Sequence, residues 1–353
     1  MTRTFVPAAA QLLGMTLSGG WRVISQLEPH EGGTGGNFSV GYIVQNLDGR
    51  KGFCKALDFS GAMFAADPAH EFGELAAAYN FERDLLHKCS QSRMSRVVLA
   101  IDDGVVDVPN GFPPRVNYLI FELADTNIRK TLNLEAKLDT AAKLRALQNV
   151  ATGLRQLHDK DIAHQDVKPS NVLQFGSQVP PVSKVADLGR ATDRGRAASH
   201  DEYPIAGDRT YAPPEQLYGA TPIDFGQRRY GCDLYQLGSL TAFLFTGVSM
   251  NALLLRHLDR SHSWREWSGS YGEVLPYVRD AFGRSVAYAG ESVEIEVRDD
   301  VMRILGYLCE PDPTRRGHPA TVSRPGNPFS LERTVTEFDL LTRRAEIRLK
   351  KSA

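Results

Sequence analysis

The chain has 353 residues, more than one compact core usually holds, so its length predicts two domains or two lobes. Its 42% hydrophobic and 24% charged residues are typical of a protein that folds in water around a large core. A formal net charge of −1 gives no overall attraction to nucleic acid or to an anionic membrane, and we expect neither as a partner. The four cysteines are widely spaced without a C-x-x-C pair, which argues against a disulfide framework or zinc site and favours the cytoplasm.

Short strand-like runs fill the chain from Trp21 to about Leu123, separated by Gly, Asn and Asp clusters. They are WRVISQL, SVGYIV, GRKGFCKALD, RVVLAIDDG and VNYLIFEL. One helix interrupts them, because PAHEFGELAAAYNFERDLLHKC carries apolar residues near helical spacing. The pattern predicts a small strand-rich lobe with one main helix over residues 19–123, preceded by an N-terminal extension over residues 1–18.

After Leu123 the pattern becomes helical. AKLRALQNVATGLRQLHDKD has one clear amphipathic face, and three later segments are also predicted as helices: Cys232 to Gly247, Val301 to Cys309, and LERTVTEFDLLTRRAEIRLKK. The apolar stretch LGSLTAFLFTGVSM is too short to span a bilayer and is typical of a buried helix. The basic residues near the C-terminus fit a solvated helix face better than a nucleic-acid site. We therefore expect a larger helical lobe over residues 124–330, a C-terminal helix over residues 331–353, and an α+β fold.

The loop HQDVKPSNVL brings three chemically different side chains together in sequence. Asp166, Lys168 and Asn171 follow one another at intervals of two and three, and Asp187 comes later in the segment ADLG. Carboxylate and amide oxygens are hard ligands that suit Mg²⁺, and a lysine can neutralise charge on a phosphoryl group. This set of residues favours phosphoryl transfer, in which catalysis is mostly positioning and electrostatics.

Several segments together resemble the eukaryotic-type (Hanks-type) serine/threonine protein kinases. HQDVKPSNVL is similar to their catalytic loop H-R-D-x-K-P-x-N, ADLG to D-F-G, and TYAPPEQ to the A-P-E element. CDLYQLG resembles the helix whose aspartate, here Asp233, braces the catalytic loop, and PDPTRRG the segment whose arginine, here Arg316, pairs with Glu215. The order matches over roughly residues 20–320, and KPSN favours the serine/threonine branch. The resemblance implies a bilobal protein-kinase-like fold and a protein substrate that offers Ser or Thr.

The resemblance also assigns roles to the catalytic residues. Asp166 would accept the proton of the substrate hydroxyl, and Lys168 would steady the γ-phosphate of ATP. Asn171 and Asp187 would hold Mg²⁺ ions, for which Mn²⁺ is an alternative.

The ATP-binding residues implied by the same resemblance lie in the strand-rich part. Lys55 would contact the α- and β-phosphates and pair with Glu82, with Glu71 and Glu74 as alternatives to Glu82. The remaining residues form the lid over the phosphates and the hinge around adenine: Gly33, Gly35 and Gly36 in the lid, Phe121 as gatekeeper, and the backbone of Glu122 and Ala124 at the adenine edge. Glycine permits a close approach of backbone to phosphate oxygens.

Four positions depart from the family pattern. Ser39 stands in place of the third glycine of the lid, where one residue also appears inserted, and Phe53 replaces the small residue that lies over adenine. Asp208 replaces the threonine that touches the catalytic aspartate and lysine, which leaves open whether Thr210 takes that role. Leu188 stands for the phenylalanine of D-F-G. None of these changes removes a group that the chemistry requires, so we expect an active kinase.

Gln165 precedes the catalytic aspartate where most regulated kinases have an arginine that grips an activation-loop phosphate. Because glutamine is uncharged, we expect the activation loop to reach its working shape without phosphorylation. Two alternatives remain open: a pseudokinase that acts as a nucleotide-binding scaffold, and a kinase-fold enzyme that phosphorylates a small molecule.

Overall fold

Five strands of the N-terminal part of the chain form one antiparallel sheet, with strand order β1-β2-β3-β5-β4. The strands are β1 (Arg22–Gln26), β2 (Ser39–Gln45), β3 (Lys51–Leu57), β4 (Ala100–Asp107) and β5 (Arg115–Glu122). The computed structural model describes residues 6–28, 39–109, 111–134, 138–176 and 181–352. They divide into two units, and the sheet belongs to the first, which comprises the described residues up to Met94, Val98–Asp125 and Asp187–Gly189.

One face of this sheet forms the core of the first unit. On β3, Cys54 and Ala56 point to that face, where they are fully buried among large residues of β2 and β5. Ala8, Ala9 and Leu12 belong to the same cluster, and the hydroxyl of Tyr42 donates to the Ala9 carbonyl at 2.8 Å. The segment that precedes β1 therefore contributes residues to this core.

Helix α1 (Pro68–Gln91) positions a buried carboxylate in the first unit. Asp67 caps its N-terminus by accepting a hydrogen bond from the His70 amide, and Pro68 occupies the first turn, where its missing N–H costs nothing. The buried stripe of the helix includes Glu82 among aromatic and leucine side chains.

The second unit contains Ser95–Val97, Thr126–Ala186 and the described residues from Arg190 onward. Its helices are α2 (Ile128–Leu134), α3 (Thr140–His158), α4 (Pro214–Leu217), α5 (Gly231–Thr246), α6 (Met250–His257), α7 (Tyr271–Glu291), α8 (Ile295–Leu308), α9 (Pro319–Val322) and α10 (Glu332–Ser352). Its short strands are β6 (Thr126–Asn127), β7 (Ile162–Ala163), β8 (Val172–Phe175), β9 (Val182–Val185) and β10 (Thr192–Asp193). Strands β6, β8 and β9 form one small sheet, and β7 pairs with β10.

Helices α3 and α5 are largely buried. Asp139 caps α3, whose apolar face is buried, and nearly every residue of α5 is buried. Within the described part of the chain, no single helix is long and apolar enough to cross a membrane. Only Gly226–Thr246 and Met250–His257 taken together pass that test, by length and composition, across a bend of 79°.

The C-terminal helix α10 packs on α3, where Arg145 donates to Glu346 at 2.6 Å. Three of its exposed arginines are engaged in ion pairs: Arg343 with Asp339, Arg344 with Asp300 and Arg348 with Glu296. This arrangement agrees with the expected charged helix face.

The predicted α+β class is confirmed, with a strand-rich first unit and a helical second unit. Strand β4 begins at Ala100 instead of Arg96. Arg96 and Val97 belong to the second unit, where the Arg96 amide donates to the Gln156 side chain and Val97 forms a β-bridge with Val185. Helix α7 was not predicted. Pro276 lies inside it and interrupts the helical signal in the sequence.

Candidate active site

The backbone of the loop between β7 and β8 is held by one buried carboxylate. Asp233 of α5 is fully buried and accepts the His164 amide at 2.8 Å and the Gln165 amide at 2.6 Å. Gln236, one turn later, accepts the Val167 amide and donates to the Gln165 carbonyl, both at 2.8 Å. These bonds hold Gln165 at a φ of +59°, a conformation that a non-glycine residue rarely adopts.

Within this loop the structure brings three of the predicted catalytic side chains together. Asp166 Oδ2 lies 2.9 Å from the Lys168 ammonium and accepts a hydrogen bond from the Asn171 amide at 3.0 Å. Asn171 also donates to the Asp166 carbonyl at 2.9 Å. All three side chains are buried, so their positions are restricted and their mutual electrostatic interaction is strong.

Asp208 supplies a further carboxylate to this cluster. Its amide donates to Asp166 Oδ1 at 2.8 Å, and its Oδ2 lies 3.8 Å from the Lys168 ammonium. The amide of Thr210 donates to Asp208 Oδ1 at 2.9 Å. Asp208 therefore makes the contacts to Asp166 and Lys168, the predicted catalytic residues, that the sequence left open for Thr210.

Gly207 permits this close approach. A Cβ there would lie 2.2 Å from the Gln165 carbonyl oxygen and 2.8 Å from Asp166 Oδ1.

The first unit carries a second group of charged residues. The Lys55 ammonium contacts both carboxylate oxygens of Glu82, at 2.9 and 3.0 Å, which selects Glu82 over Glu71 and Glu74. Asp187 Oδ1 lies 3.8 Å from the same ammonium, and Asp187 has a φ of +67°. Lys55 thus lies between two carboxylates, one buried and one partly exposed.

The predicted hinge residues lie at the end of β5. Phe121 is buried and pairs with Phe53 of β3, and Glu122 is the last residue of the strand. The Glu122 carboxylate accepts the Leu99 amide at 3.3 Å, and Ala124 follows two residues later, partly buried. Gly33, Gly35 and Gly36 of the predicted lid lie outside the described residues.

The two predicted metal ligands fit Mg²⁺ or Mn²⁺ by their donor chemistry. The Asn171 nitrogen is committed to Asp166, so its oxygen is the atom of the amide that a metal would use. Asp187 offers a carboxylate that is one third exposed. In the described residues no group of three or more His, Cys, Asp or Glu forms a complete cage, as is usual for Mg²⁺ that keeps waters and phosphate oxygens as ligands.

Sequence reasoning missed Arg229, which lies in a π-helical turn (Gly226–Tyr230) just before α5. Its guanidinium donates to the Gln165 side-chain oxygen at 2.6 Å and to the Asp201 carbonyl at 2.6 Å. Gln165 in turn donates to the Arg190 carbonyl at 3.2 Å and to the Thr192 hydroxyl at 3.1 Å. Burial, together with the charge of neighbouring Arg228, lowers the pKa of Arg229. No motif marks Arg229, because its role depends on contacts with distant segments.

The predicted pair of Glu215 and Arg316 is confirmed. Two parallel hydrogen bonds of 2.7 Å join the carboxylate to the guanidinium, and both side chains are buried. Burial by itself lowers the pKa of Arg316, but the Glu215 carboxylate outweighs it and the pKa is raised. This pair anchors the start of α4 to the segment before α9.

Comparison with known proteins agrees with this geometry. The model of the protein kinase domain matches residues 60–319, about three quarters of the chain. A probable serine/threonine-protein kinase PknB of Bifidobacterium longum is 28% identical over 242 residues, which cover 64% of this chain and 33% of that protein.

Two eukaryotic relatives are similarly distant. The stress-activated protein kinase JNK of Drosophila melanogaster is 28% identical over 179 residues, covering 49% of this chain and 44% of JNK. The serine/threonine-protein kinase PTK2 of Candida glabrata is 26% identical over 187 residues, covering 48% of this chain and 23% of PTK2. The chain spans less than half the length of each of these relatives. The chain therefore belongs to the Hanks-type serine/threonine protein kinase family. This follows from the match to the protein kinase domain, and the order of the motifs and the hydrogen bonds that hold the loop around Asp166 agree with it.

Proposed function

We propose that the protein transfers the γ-phosphoryl group of ATP to a serine or threonine hydroxyl of a protein substrate. The observation that carries this proposal is the buried cluster of Asp166, Lys168 and Asn171, in which one carboxylate is fixed by an ammonium and an amide. Such a cluster combines a proton acceptor with a positive charge for a phosphoryl group, which is what phosphoryl transfer needs.

In the proposed reaction the substrate hydroxyl oxygen forms a bond to the γ-phosphorus. The bond between that phosphorus and the bridging oxygen breaks, ADP leaves, and the hydroxyl proton passes to Asp166. Lys168 stabilises the charge on the moving phosphoryl group. Asn171 and Asp208 keep the Asp166 carboxylate in one orientation, because each donates to a different oxygen of it.

The charged residues of the first unit have a separate role in this proposal. Lys55, oriented by Glu82, binds the α- and β-phosphates, and its two bonds to Glu82 limit the positions of the ammonium. Asn171 and Asp187 would hold the divalent metal ion that protein kinases generally use. When bound, that ion neutralises phosphate charge.

Two observations favour a protein kinase over the alternatives. Lys55, Asp166, Asn171 and Asp187 are all present, which argues against a pseudokinase scaffold. The named relatives are all described as protein kinases, two of them as serine/threonine-protein kinases, which supports a protein substrate over a small molecule.

The test is transfer from ATP to generic protein substrates, such as casein and histone, with the modified residues identified by mass spectrometry. We expect phosphate on Ser and Thr, and its loss in Asp166→Asn. The matched control is Asp161→Asn, in the turn that precedes β7. Transfer to an aminoglycoside but to no protein would favour the small-molecule alternative, and no transfer to any acceptor by wild type would favour the pseudokinase.

We further propose that the activation segment, residues 190–214, works without phosphorylation. Gln165 is neutral and already bonded to Thr192 and to the Arg190 carbonyl. Arg229 donates to Gln165 and to the Asp201 carbonyl of the same segment, so an internal guanidinium links the loop around Gln165 to the activation segment. This network supports a segment whose shape is set by the fold.

The experiment for this second proposal is a phosphatase treatment. Purified protein is dephosphorylated, the phosphatase is removed, and transfer to an exogenous substrate is followed through the first minutes. We expect the amount of phosphate transferred to increase linearly from the first time point. A long lag that ends as Thr192, Ser199 or Thr210 regains phosphate would contradict the proposal.

We also propose that the protein acts in the cytoplasm. All four cysteines are buried free thiols, and burial raises the pKa of Cys54 to about 12, which keeps it in the unreactive thiol form. Cell fractionation would test this location, and recovery in a secreted fraction would contradict it.

A further inference from the structure

Helix α2 lies beside the loop around Asp166 within the second unit. It packs against the single turn Pro169–Asn171 of that loop. Asn127 fixes the start of the helix, because its side chain accepts the Lys130 amide at 3.0 Å. Side chains of the first turn of α2 are therefore held next to the carboxylate that would accept the substrate proton.

A tight turn of the activation segment, residues 208–212, lies against the same carboxylate. The Asp208 amide donates to Asp166 Oδ1 at 2.8 Å, and the Tyr211 amide donates to the Asp208 carbonyl at 3.0 Å. In this turn Tyr211 is buried and Arg209 is exposed. The turn thus places one aromatic ring inside the protein and one cation at its surface, both close to Asp166.

Arg129 of α2 reaches this turn. Burial raises the pKa of the Tyr211 phenol, the positive charge of Arg129 and its contact with the phenol oxygen oppose that rise, and the charge of Asp208 adds to it. Arg129 and Asp208 are both near enough to the Tyr211 phenol to influence its ionisation. The guanidinium of Arg129 is therefore held close to the cluster that contains Asp166.

The Arg129 guanidinium has no anionic partner among the described residues. Its Nε is buried there without a hydrogen-bond partner, although the side chain as a whole is partly accessible. Two other arginines of the same unit differ, because Arg145 reaches Glu346 at 2.6 Å and Arg229 reaches Asp201 at 3.4 Å. A buried N–H without an acceptor is unfavourable, and an anion that binds to it would remove that cost.

The other charges of α2 and the turn also favour an anion. Arg209 is exposed and forms no ion pair with a described residue, and Lys130 is exposed on α2. The carboxylates of Asp166 and Asp208 lie 2.9 and 3.8 Å from the Lys168 ammonium, which partly neutralises them. The surface that α2 and the turn present to a substrate is therefore positive.

We propose that Arg129 binds a negatively charged side chain of the protein substrate, close in sequence to the Ser or Thr that receives the phosphate. The inference rests on the proposed protein kinase function, since a substrate hydroxyl at Asp166 brings its neighbouring residues to α2 and the turn. The Nε–H and a neighbouring N–H of a guanidinium can donate in parallel to two oxygens of a carboxylate or of a phosphate group. Such a contact should raise kcat/KM for an acidic substrate about tenfold over a neutral one.

The test is a panel of serine peptides on an alanine and glycine background. A single Glu, Gln, Arg or phosphoserine is placed in turn at each position that flanks the acceptor, and kcat/KM is measured with wild type. We expect Glu to exceed Gln about tenfold at one position or more, and Arg to fall below Gln there. Gln has the size of Glu without its charge, and phosphoserine shows whether a phosphate or a carboxylate is the preferred anion.

Charge reversal tests whether Arg129 is the residue responsible. Arg129→Glu should reverse the preference at that position, so that the Arg peptide becomes a better substrate than the Glu peptide. Arg129→Gln should bring the two peptides to nearly equal kcat/KM. A merely structural role of Arg129 would lower activity towards all peptides alike.

The matched control is Arg324→Glu, which makes the same charge change at an exposed arginine of the same unit. It should keep the wild-type preference for the acidic peptide. Melting temperatures of all variants are measured alongside.

The outcomes separate this inference from the proposed function. Equal kcat/KM of wild type for the Glu, phosphoserine and Gln peptides at every position overturns the inference and leaves the kinase proposal intact. An acidic preference that persists in both Arg129→Glu and Arg129→Gln also overturns it, because another residue then binds the anion. Transfer by wild type to no peptide and no protein overturns both.

Discussion

Two pairs of a carboxylate with a cation illustrate different uses of the same chemistry. In the first unit Lys55 contacts both oxygens of Glu82 at 2.9 and 3.0 Å. In the second unit Arg316 contacts both oxygens of Glu215 at 2.7 Å. The side chains of the first pair are 22% and 8% exposed, and those of the second are 0% and 1% exposed.

The neighbours of each cation explain the difference. All five donors of Arg316 are used, by Glu215 and by the carbonyls of Gly231, Glu310 and Pro311. Lys55 lies instead between Glu82 and the more exposed Asp187, a position from which an ammonium can turn towards a phosphate. A fully bonded, dry pair stabilises the fold, whereas a partly exposed pair beside a second carboxylate suits ligand binding.

The largest effect is expected at Lys55. Lys55→Met removes the charge proposed to bind phosphates, so phosphoryl transfer should fall by at least about a hundredfold. The melting temperature should fall less than in Glu215→Gln, because the Lys55 side chain is 22% exposed whereas Arg316 is fully buried. Transfer assays and thermal melts of the same preparation measure both quantities.

Lys51→Met on the same strand is the matched control, since Lys51 is exposed at the start of β3. It should retain full activity. Wild-type activity of Lys55→Met would contradict the proposal that the Lys55–Glu82 pair serves nucleotide binding.

Glu215→Gln should have the opposite profile. It strands the buried Arg316 charge, which typically costs about 3–5 kcal/mol of unfolding free energy. Chemical denaturation measures this cost. Asp280→Asn, which breaks the exposed pair with Arg284, should leave stability nearly unchanged. Equal stability of Glu215→Gln and wild type would mean that the buried pair contributes nothing.

A smaller effect is expected at Gln165. In Gln165→Arg a second guanidinium would face that of Arg229, which now donates to Gln165 at 2.6 Å. Repulsion and the lost bond should lower activity about tenfold. Gln165→Glu keeps an acceptor for Arg229 and should be milder. The measurement is the initial rate of phosphate transfer by wild type and the two variants. A fully active Gln165→Arg would show that the hydrogen bonds of Gln165 and Arg229 do not determine the conformation of the activation segment.

The smallest effect concerns pH. Burial lowers the pKa of His200 from its usual value of 6.5, and His200 contacts the Ala191 carbonyl at 2.8 Å. Because the unfolded chain takes up the proton first as the pH falls below 6.5, the folded state loses stability in acid and regains it as the pH rises. His200→Gln should therefore show a smaller drop in melting temperature between about pH 7.5 and 5.5 than wild type. The same drop in both proteins would contradict this role.

The catalytic loop could be predicted from sequence because its partners are close in the chain. Asp166, Lys168 and Asn171 lie within six residues, and their order matches a known motif. The pairs of Lys55 with Glu82 and of Glu215 with Arg316 are distant in sequence, but each partner belongs to its own recognisable segment.

Other features depend on tertiary contacts that carry no local signal. Arg229 bonds to Gln165 across 64 positions, and nothing in its neighbouring residues marks it. The substitution at Asp208 was visible, but only the distances to Asp166 and Lys168 decide between Asp208 and Thr210. The contact between Arg129 and Tyr211 likewise joins two segments that are distant in the chain.

The most direct test of the account measures activity and stability of Asp187→Asn together. Asp187 is one third exposed, lies 3.8 Å from Lys55, and is the carboxylate proposed to hold the metal ion. We predict that γ-phosphate transfer from labelled ATP, to the protein itself and to casein, is lost while the melting temperature stays at the wild-type value. Near-wild-type autophosphorylation by Asp187→Asn would contradict the assignment of this site.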